Sequence, residues 1–409
     1  MNIKKIDGGV TAPKGFEAAG VAAAIKYENR KDMAMIYSLA PAQVAGSFTT
    51  NVVKAAPVLW DMDIVKNGET VRAIVVNAGI ANACTGKQGM EYCKKTAAKA
   101  AELLSINEKE VLIGSTGVIG VLLPLAKIEA GISLLVKEKE SSFAAGKNAA
   151  EAIMTTDTKM KQAAVQITLG GKTVTIGGMS KGSGMIHPNM CTMLAYITTD
   201  AAISKELLTD MVNEIVKDTY NMITVDGDTS TNDTLLVLAN GQAENPLLNE
   251  KNDDYQTFKN ALYYINEELA KMMAKDGEGA TTLIEMKVTG AASKEDARLL
   301  ARSVARSSLV KAAIYGRDAN WGRILCALGY SGVSFNPDIV SLCFESAAGE
   351  VKIFAAGCGL DFDEEMAAKV LSAEEVIIKV DMKMGAFSAT AWGCDLTEEY
   401  VKINADYRS

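Results

Sequence analysis

The sequence predicts an α/β protein in which sheets and helices are layered in an α+β manner. Three observations carry that expectation. Strand-like and helix-like segments alternate from one end to the other, several strand pairs read as antiparallel hairpins, and apolar residues make up 48% of the 409-residue chain. Interleaving of this kind belongs to layered folds. The apolar share can fill a large core, and the length fits two domains or one large one.

Taken in order, Val71–Gly79 (VRAIVVNAG) is a short apolar run that stops at glycine, the mark of a buried strand. Lys94–Leu104 is alanine-rich and helical. Val165–Gly178 alternates apolar and polar residues on both sides of Gly170-Gly171, which predicts a hairpin. Met193–Asp200 reads as a strand. Ser204–Ile223 reads as a helix with Leu207, Leu208, Met211, Val212, Ile215 and Val216 on one face. Leu283–Val288 is a further strand, and Ser293–Tyr315 one long amphipathic helix with Leu300, Val304 and Ala313 inward. Ser341–Gly357 predicts two strands around Ala347–Glu350. Ile377–Met384 alternates, with Ile378, Val380, Met382 and Met384 on one side.

Composition narrows the function. The net charge is −8, and no Lys/Arg cluster is dense enough for a nucleic-acid face. The stretch Lys137–Glu140 alternates in sign, as a solvated helix end does. No run of eighteen apolar residues is present, and the N-terminal segment lacks the apolar core of a signal peptide. Seven cysteines without a CxxC pair fit reduced thiols, and the expected location is the cytoplasm. A single histidine, His187, rules out zinc sites built on two or three histidines.

The chemistry concentrates in Gly177–Thr199. Ser180–Gly184 is glycine-rich, Pro188 disfavours a helix, and a strand follows from Thr192 without a turn signal. Thr192 is thus a small hydroxyl residue at a loop-to-strand junction. Cutting the Cys191–Thr192 bond would give it a free α-amine, with a reference pKa of about 7.7–8.0. That amine can take the hydroxyl proton and so activate the nucleophile. The bland alternative is an ordinary junction.

Gly114–Pro124 (GSTGVIGVLLP) offers small residues and backbone amides for an oxyanion, with the Thr116 hydroxyl beside them. Read structurally, it is a turn between Val111–Ile113 and a helix. Met222–Thr234 (MITVDGDTSTNDT) carries three aspartates. It lacks the calcium-loop spacing and reads as turn capping rather than a metal site. Gly316–Ile324 is a polar turn with Trp321 between two arginines, suited to packing or to a ligand.

The run SKGSGMIHPNMCTML (Ser180–Leu194) resembles the cleavage segment of ornithine acetyltransferases, also called glutamate N-acetyltransferases. Asn77–Gly86, Ser115–Gly120, Met154–Thr158, Thr224–Thr234, Gly316–Ile324 and Ile403–Ser409 resemble that family in the same order. The likeness implies an αββα sandwich of the N-terminal-nucleophile type. It implies self-cleavage into an α chain, 1–191, and a β chain, 192–409, which stay associated as a heterotetramer of two αβ pairs. It implies transfer of an acetyl group from N2-acetylornithine to glutamate in cyclic arginine biosynthesis, without a cofactor. Some members also take acetyl-CoA as donor. By this resemblance Thr192 is the nucleophile, Thr116 and Gly117 hold the oxyanion, and Thr155, Lys181, Thr192, Glu278, Asn404 and Ser409 contact substrate. A lysine and a glutamate suit a substrate carrying a carboxylate and an amine. Two residues depart from the family's habit: Cys191 stands for alanine and Ser409 for threonine. The competing readings are an aminopeptidase or amidase with the same threonine chemistry, and a binding protein without turnover.

Cleavage at Cys191–Thr192 would yield chains of 191 and 218 residues (409 less 191). Intact mass should show both, and Thr192→Ala should stay whole. An uncut wild-type chain that still turned over acetylornithine would remove the α-amine mechanism.

Overall fold

The computed structural model describes residues 3–68, 70–187 and 193–406. Among them the chain forms two compact units. The first comprises 3–182, 193–220 and 229–269, and the second 183–187, 221–228 and 270–406.

A nine-stranded sheet organises the first unit. Its order is Lys4–Ile6, Lys161–Leu169, Lys172–Lys181, Leu194–Thr199, Thr234–Ala239, Met33–Phe48, Val71–Ile80 and Val111–Val118, with Phe16–Val21 also paired to Met33–Phe48. The long strand Met33–Phe48 serves two halves. Its first part pairs with Phe16–Val21 and Val71–Ile80, its last part with Thr234–Ala239, and the register shifts between Tyr37 and Ala42.

Side-chain alternation shows what each half buries. Ile74, Val76 and Leu112 share one core cluster with Val44, Tyr196, Leu236 and Leu238 of the other half. Their sequence neighbours Ala73, Val75, Val111 and Ile113 point the opposite way, into a second cluster. That cluster is completed by Ala97 and Ala100 of the Gly86–Leu104 helix and by Ile128, Ile132 and Leu135 of the Leu125–Glu138 helix. Because side chains alternate with a period of two, the half-sheets must lie face to face, with helices outside. On the far side, Gly178 and Ile197 lie against Ile265 and Leu269 of the Asp253–Lys275 helix. The unit is therefore an αββα sandwich, as the sequence likeness implied.

The second unit holds a seven-stranded sheet: Cys358–Gly359, Gly349–Ala355, Ser341–Ser346, Glu375–Asp381, Leu283–Ala291, Phe387–Cys394 and Ile223–Thr224. The Lys294–Arg306 helix packs on its Leu283–Ala291 and Phe387–Cys394 strands.

Several expected elements need correction. The helix expected over 293–315 is two, Lys294–Arg306 and Ser308–Tyr315. Ser307 breaks it by turning extended (φ −64°, ψ 113°) and accepting a hydrogen bond from the Val310 amide, so it caps the second helix. The helix expected over 204–223 runs from Lys205 to Asp218, with all six named apolar residues buried. It stops where Thr219 leaves helical dihedrals (φ −122°, ψ −93°). Gly114 does not begin a turn: the Val111–Val118 strand continues through Thr116 and Gly117. The strand expected from Thr192 is described from Leu194 onward. The boundary between 191 and 192 concerns a peptide bond and is a separate matter from the two packing units.

Gly114 lies against the Tyr196 hydroxyl, which a methyl group there would strike. That hydroxyl is fully buried and has no hydrogen-bond partner among the described residues. Gly114→Ala should therefore cost about 1–3 kcal/mol, read from urea midpoints. Adding Tyr196→Phe removes the colliding oxygen and should restore part of that loss; strict additivity of the two changes would contradict the contact.

Candidate active site

The expected oxyanion pair lies at a fault in the sheet. Val71–Ile80 and Val111–Val118 run parallel in register from Ala73↔Val111 to Gly79↔Gly117, and then Ile80 faces both Thr116 and Val118. A bulge of this kind bends a strand and re-aims its groups. Both glycines at the fault have positive φ, 103° at Gly79 and 129° at Gly117, and a side chain on Gly117 would collide with the Gly79 backbone. Only glycine allows that approach. Thr116 and Gly117 are half-buried, so both remain open to a ligand. The preceding residue is pinned: the Ser115 hydroxyl donates to Asn77 Oδ1 (2.6 Å), and Asn232 Nδ2 donates to the carbonyls of Ser115 (2.8 Å) and Ala81 (2.6 Å).

Thr155 and Lys181 are joined through a carboxylate not singled out from the sequence. Asp157 is buried and accepts from Lys161 Nζ (2.7 Å), the Gly182 amide (2.7 Å) and the Thr155 amide (3.1 Å), and it lies 3.8 Å from Lys181 Nζ. Burial alone would raise its pKa. Lys181, Lys161 and the donated hydrogen bonds outweigh that and hold it well below the usual carboxylate range. Lys181, itself buried, ends the Lys172–Lys181 strand directly opposite Leu194, two residues beyond the expected nucleophile. Leu194 is held on its other side by Thr234, whose amide donates to the Met193 carbonyl (2.8 Å). The buried Asp233 carboxyl accepts from the Met193 amide; burial pushes its pKa up.

Glu278 and Asn404 come together in the second unit. Asn404 Nδ2 donates to Glu278 Oε2 (2.7 Å) and to the Tyr400 carbonyl (3.0 Å). The Glu278 amide donates to the Ser183 carbonyl (2.9 Å), and its carboxylate lies against Gly184, so that a side chain there would have to displace it. Tyr400 Oη donates to Asp226 (3.2 Å), which also accepts from the amides of Met185 (2.6 Å) and Ile186 (2.9 Å). Burial raises the Asp226 pKa. The polar helix Glu398–Ala405 is thus tied to the segment leading into residues 188–192. Cys191, Thr192 and Ser409 lie outside the described residues.

His187 is held between two polar neighbours. Its Nδ1 lies 3.1 Å from Thr224 Oγ1 and its Nε2 3.3 Å from an Arg302 nitrogen. A guanidinium only donates, so Nε2 accepts and Nδ1 carries the proton. Burial, then Arg302 and Arg306, lower its pKa to about 4. The ring is neutral near pH 7 and its basic nitrogen is engaged. Within Gly316–Ile324, Trp321 packs on Phe354 at 5.2 Å between ring centroids.

The sequence signals for the missed residues were present. Asp157 stands inside the Met154–Thr158 run, and Asp226, Asn232 and Asp233 stand inside Met222–Thr234. The turn-capping reading of that second stretch holds for Asp226, which accepts from the Asp228 amide at 3.1 Å.

Comparison with known proteins places this chemistry. The profile of the ArgJ family matches residues 17–409. The arginine biosynthesis bifunctional protein ArgJ of Thermotoga neapolitana is 52% identical over 398 residues, covering 97% of this chain and 99% of that protein. The corresponding protein 1 of Clostridium acetobutylicum is 54% identical over 394 residues, 96% of each chain. That of Bacillus subtilis is 46% identical over 407 residues, 100% of this chain and 98% of the relative. Among solved structures, Bacillus halodurans ArgJ is 45% identical, with a TM-score of 0.49, covering 51% of this chain and 97% of its own.

The Asp157 cluster makes a pH prediction. A carboxylate with a depressed folded-state pKa contributes stability that is present above its unfolded pKa, about 3.9, and is lost as pH falls through the lower folded value. Asp157→Asn should cost roughly 3–5 kcal/mol at pH 7, by leaving the Lys161 ammonium buried without its carboxylate. The gap between wild type and variant should narrow as the pH drops below about 4. A gap independent of pH would show that Asp157 is not ionised in the fold.

Proposed function

The chain belongs to the ArgJ family, and on that premise we propose that it is an acetyltransferase of arginine biosynthesis, moving the acetyl group of N2-acetylornithine to glutamate. The observation that carries this reading is the likeness over residues 17–409, at about half identity to full-length relatives. The geometry supports it: an oxyanion-type pair at a strand bulge, a buried lysine, and a buried glutamate tied to the C-terminal helix.

In the proposed first half-reaction, Thr192 Oγ attacks the acetyl carbonyl while its proton passes to the Thr192 α-amine. The oxyanion is held by the Thr116 hydroxyl and the Gly117 amide. The C–N bond then breaks, the departing ornithine nitrogen takes the proton, and an acetyl ester remains on Thr192. The α-amine of glutamate attacks this ester in the second half-reaction and restores the hydroxyl. Lys181 and Thr155 serve the substrate carboxylate. Glu278 and Asn404, with Ser409, serve the amine-bearing end. Acetyl-CoA is proposed as a second acetyl donor, with no bound cofactor. The cut chains 1–191 and 192–409 are proposed to remain associated as two αβ pairs. Among the described residues no helix is long and apolar enough to cross a membrane; the cytoplasm is the proposed location.

Incubation with acetylornithine and no glutamate should add one acetyl mass to residue 192 of the β chain. Initial rates should give parallel double-reciprocal lines, and Thr116→Ala should lower kcat on the order of a hundredfold while changing KM little. Intersecting lines with no acetylated β chain would leave direct transfer instead. Release of free acetate at the same rate with and without glutamate would make the enzyme an amidase.

A further inference from the structure

The Val111–Val118 strand, which carries Thr116 and Gly117, closes the sheet order and pairs only with Val71–Ile80 among the described strands. An edge strand presents unpaired amides and carbonyls on its outer side, and its neighbour holds it from one side only. That is a loose place for groups that must keep a fixed geometry. Here the Ala56–Asn67 helix closes the outer side. Trp60 Nε1 donates to the Val111 carbonyl (3.0 Å), and Asp61 Oδ1 accepts from the Ile113 amide (2.8 Å). Those two backbone groups stand two residues apart, so they point to the same side of the strand. Next along the strand, Gly114 lies against the Tyr196 hydroxyl and the Val76 methyl groups. Ser115 follows with its bonds to Asn77 and Asn232. Residues 111, 113, 114 and 115 are thus gripped in turn by different side chains, up to the residue before Thr116.

Two of these grips cost more than packing requires. Asp61 and Tyr196 are fully buried, and Asp61 Oδ2 and Tyr196 Oη have no hydrogen-bond partner among the described residues. An unsatisfied buried polar atom is destabilising. Phenylalanine at 196 would fill the same cluster with Ile74, Val76, Leu112 and Leu236 without that penalty. Burial raises the Asp61 pKa and so favours its neutral carboxyl, which asparagine would copy. Local rules broken without an internal gain are expected at functional positions. The demand is close at hand, because oxyanion donors act only when they are held in place beforehand. We propose that Asp61 and Tyr196 are positioning residues, which hold this edge strand so that Thr116 and Gly117 stay fixed at the bulge. Neither residue touches the substrate. The inference rests on the oxyanion role given above to Thr116 and Gly117.

Three variants of the full chain test this: Tyr196→Phe, Asp61→Asn and Asp61→Ala. Each is measured for kcat and KM in acetylornithine–glutamate transfer, for thermal midpoint, and for amide hydrogen exchange of peptides covering 111–118. Tyr196→Phe should keep or raise the midpoint, because an unpartnered hydroxyl is gone. It should nonetheless lower kcat about tenfold with KM little changed, since small misplacements of catalytic groups are costly. Asp61→Ala should lower kcat at least as far. Both changes should quicken exchange over 111–118, with Leu283–Ala291 as the control. Asp61→Asn keeps the acceptor for the Ile113 amide and should stay near wild type in kcat and in exchange. A hydroxyl with only a packing role would move the midpoint and leave kcat alone. Unchanged kcat, or unchanged exchange over 111–118, in either Tyr196→Phe or Asp61→Ala overturns the proposal for that residue. Asp61→Asn falling as far as Asp61→Ala overturns it for Asp61. Tyr196→Phe, which keeps its ring, leaves the test decisive should Asp61→Ala fail to fold. Wild-type transfer that these changes leave intact fails this inference alone. Quickened exchange in a protein that transfers no acetyl group fails the acetyltransferase reading alone.

Discussion

The face-to-face packing of two half-sheets in the first unit is the constraint from which the rest follows. The central strands of those halves, Val71–Ile80, Leu194–Thr199 and Thr234–Ala239, are buried on both sides, one face against the partner sheet and the other against helices. Such strands carry apolar residues at nearly every position, and a shift of one residue would exchange the two faces wholesale. Register is therefore strongly fixed, and the strand ends are placed with it. The bulge where Ile80 faces both Thr116 and Val118 can hold a strained, glycine-dependent geometry because the paired residues before it are locked. Strain of this kind persists only where the surroundings over-determine it.

Buried carboxylates supply the second level of order. Asp157 gathers two lysines and two backbone amides, and Asp226 gathers the amides of Met185 and Ile186 with the Tyr400 hydroxyl. Of the backbone amides they accept from, those of Gly182, Met185 and Ile186 come shortly before residue 188 in the chain. They reach the same end by different electrostatics. Asp157 stays ionised because ammonium groups compensate its desolvation. At Asp226 burial outweighs the donated backbone hydrogen bonds and raises the pKa. A charged anchor makes the strand end at Lys181 costly to displace. A carboxyl held mainly by backbone amides fixes a loop without gathering further charge beside it.

Helix ends show how much local chemistry was legible. Ser204, Ser293 and Asn320 each cap a helix through a side-chain oxygen that accepts from a backbone amide. Ser307 does the same, but its presence between two helices was hidden in the sequence. The apolar spacing from Leu300 to Ala313 continues across the break, so periodicity alone sees one helix. Gly114 misled in the opposite direction. A glycine followed by Ser-Thr-Gly looks like a turn, yet here the missing side chain leaves room for the Tyr196 hydroxyl against the strand. Glycine in a strand often marks such a close approach.

The sequence by itself determined the layered class, the family and the helix faces. Each of these is written in residue types at short, regular spacing or in long unusual motifs. Only the tertiary structure decided that Asp157 joins Thr155 to Lys181, that Asn404 rests on Glu278, and that Thr116 and Gly117 stand at a sheet fault. It also decided that His187 is a buried ring held between Thr224 and Arg302. The reason is physical. Asn404 and Glu278 lie 126 residues apart, and Asn232 and Ser115 lie 117 apart. Contacts at such separations depend on how buried faces pack, and pKa shifts depend on the desolvation that packing imposes, neither of which has a period along the chain.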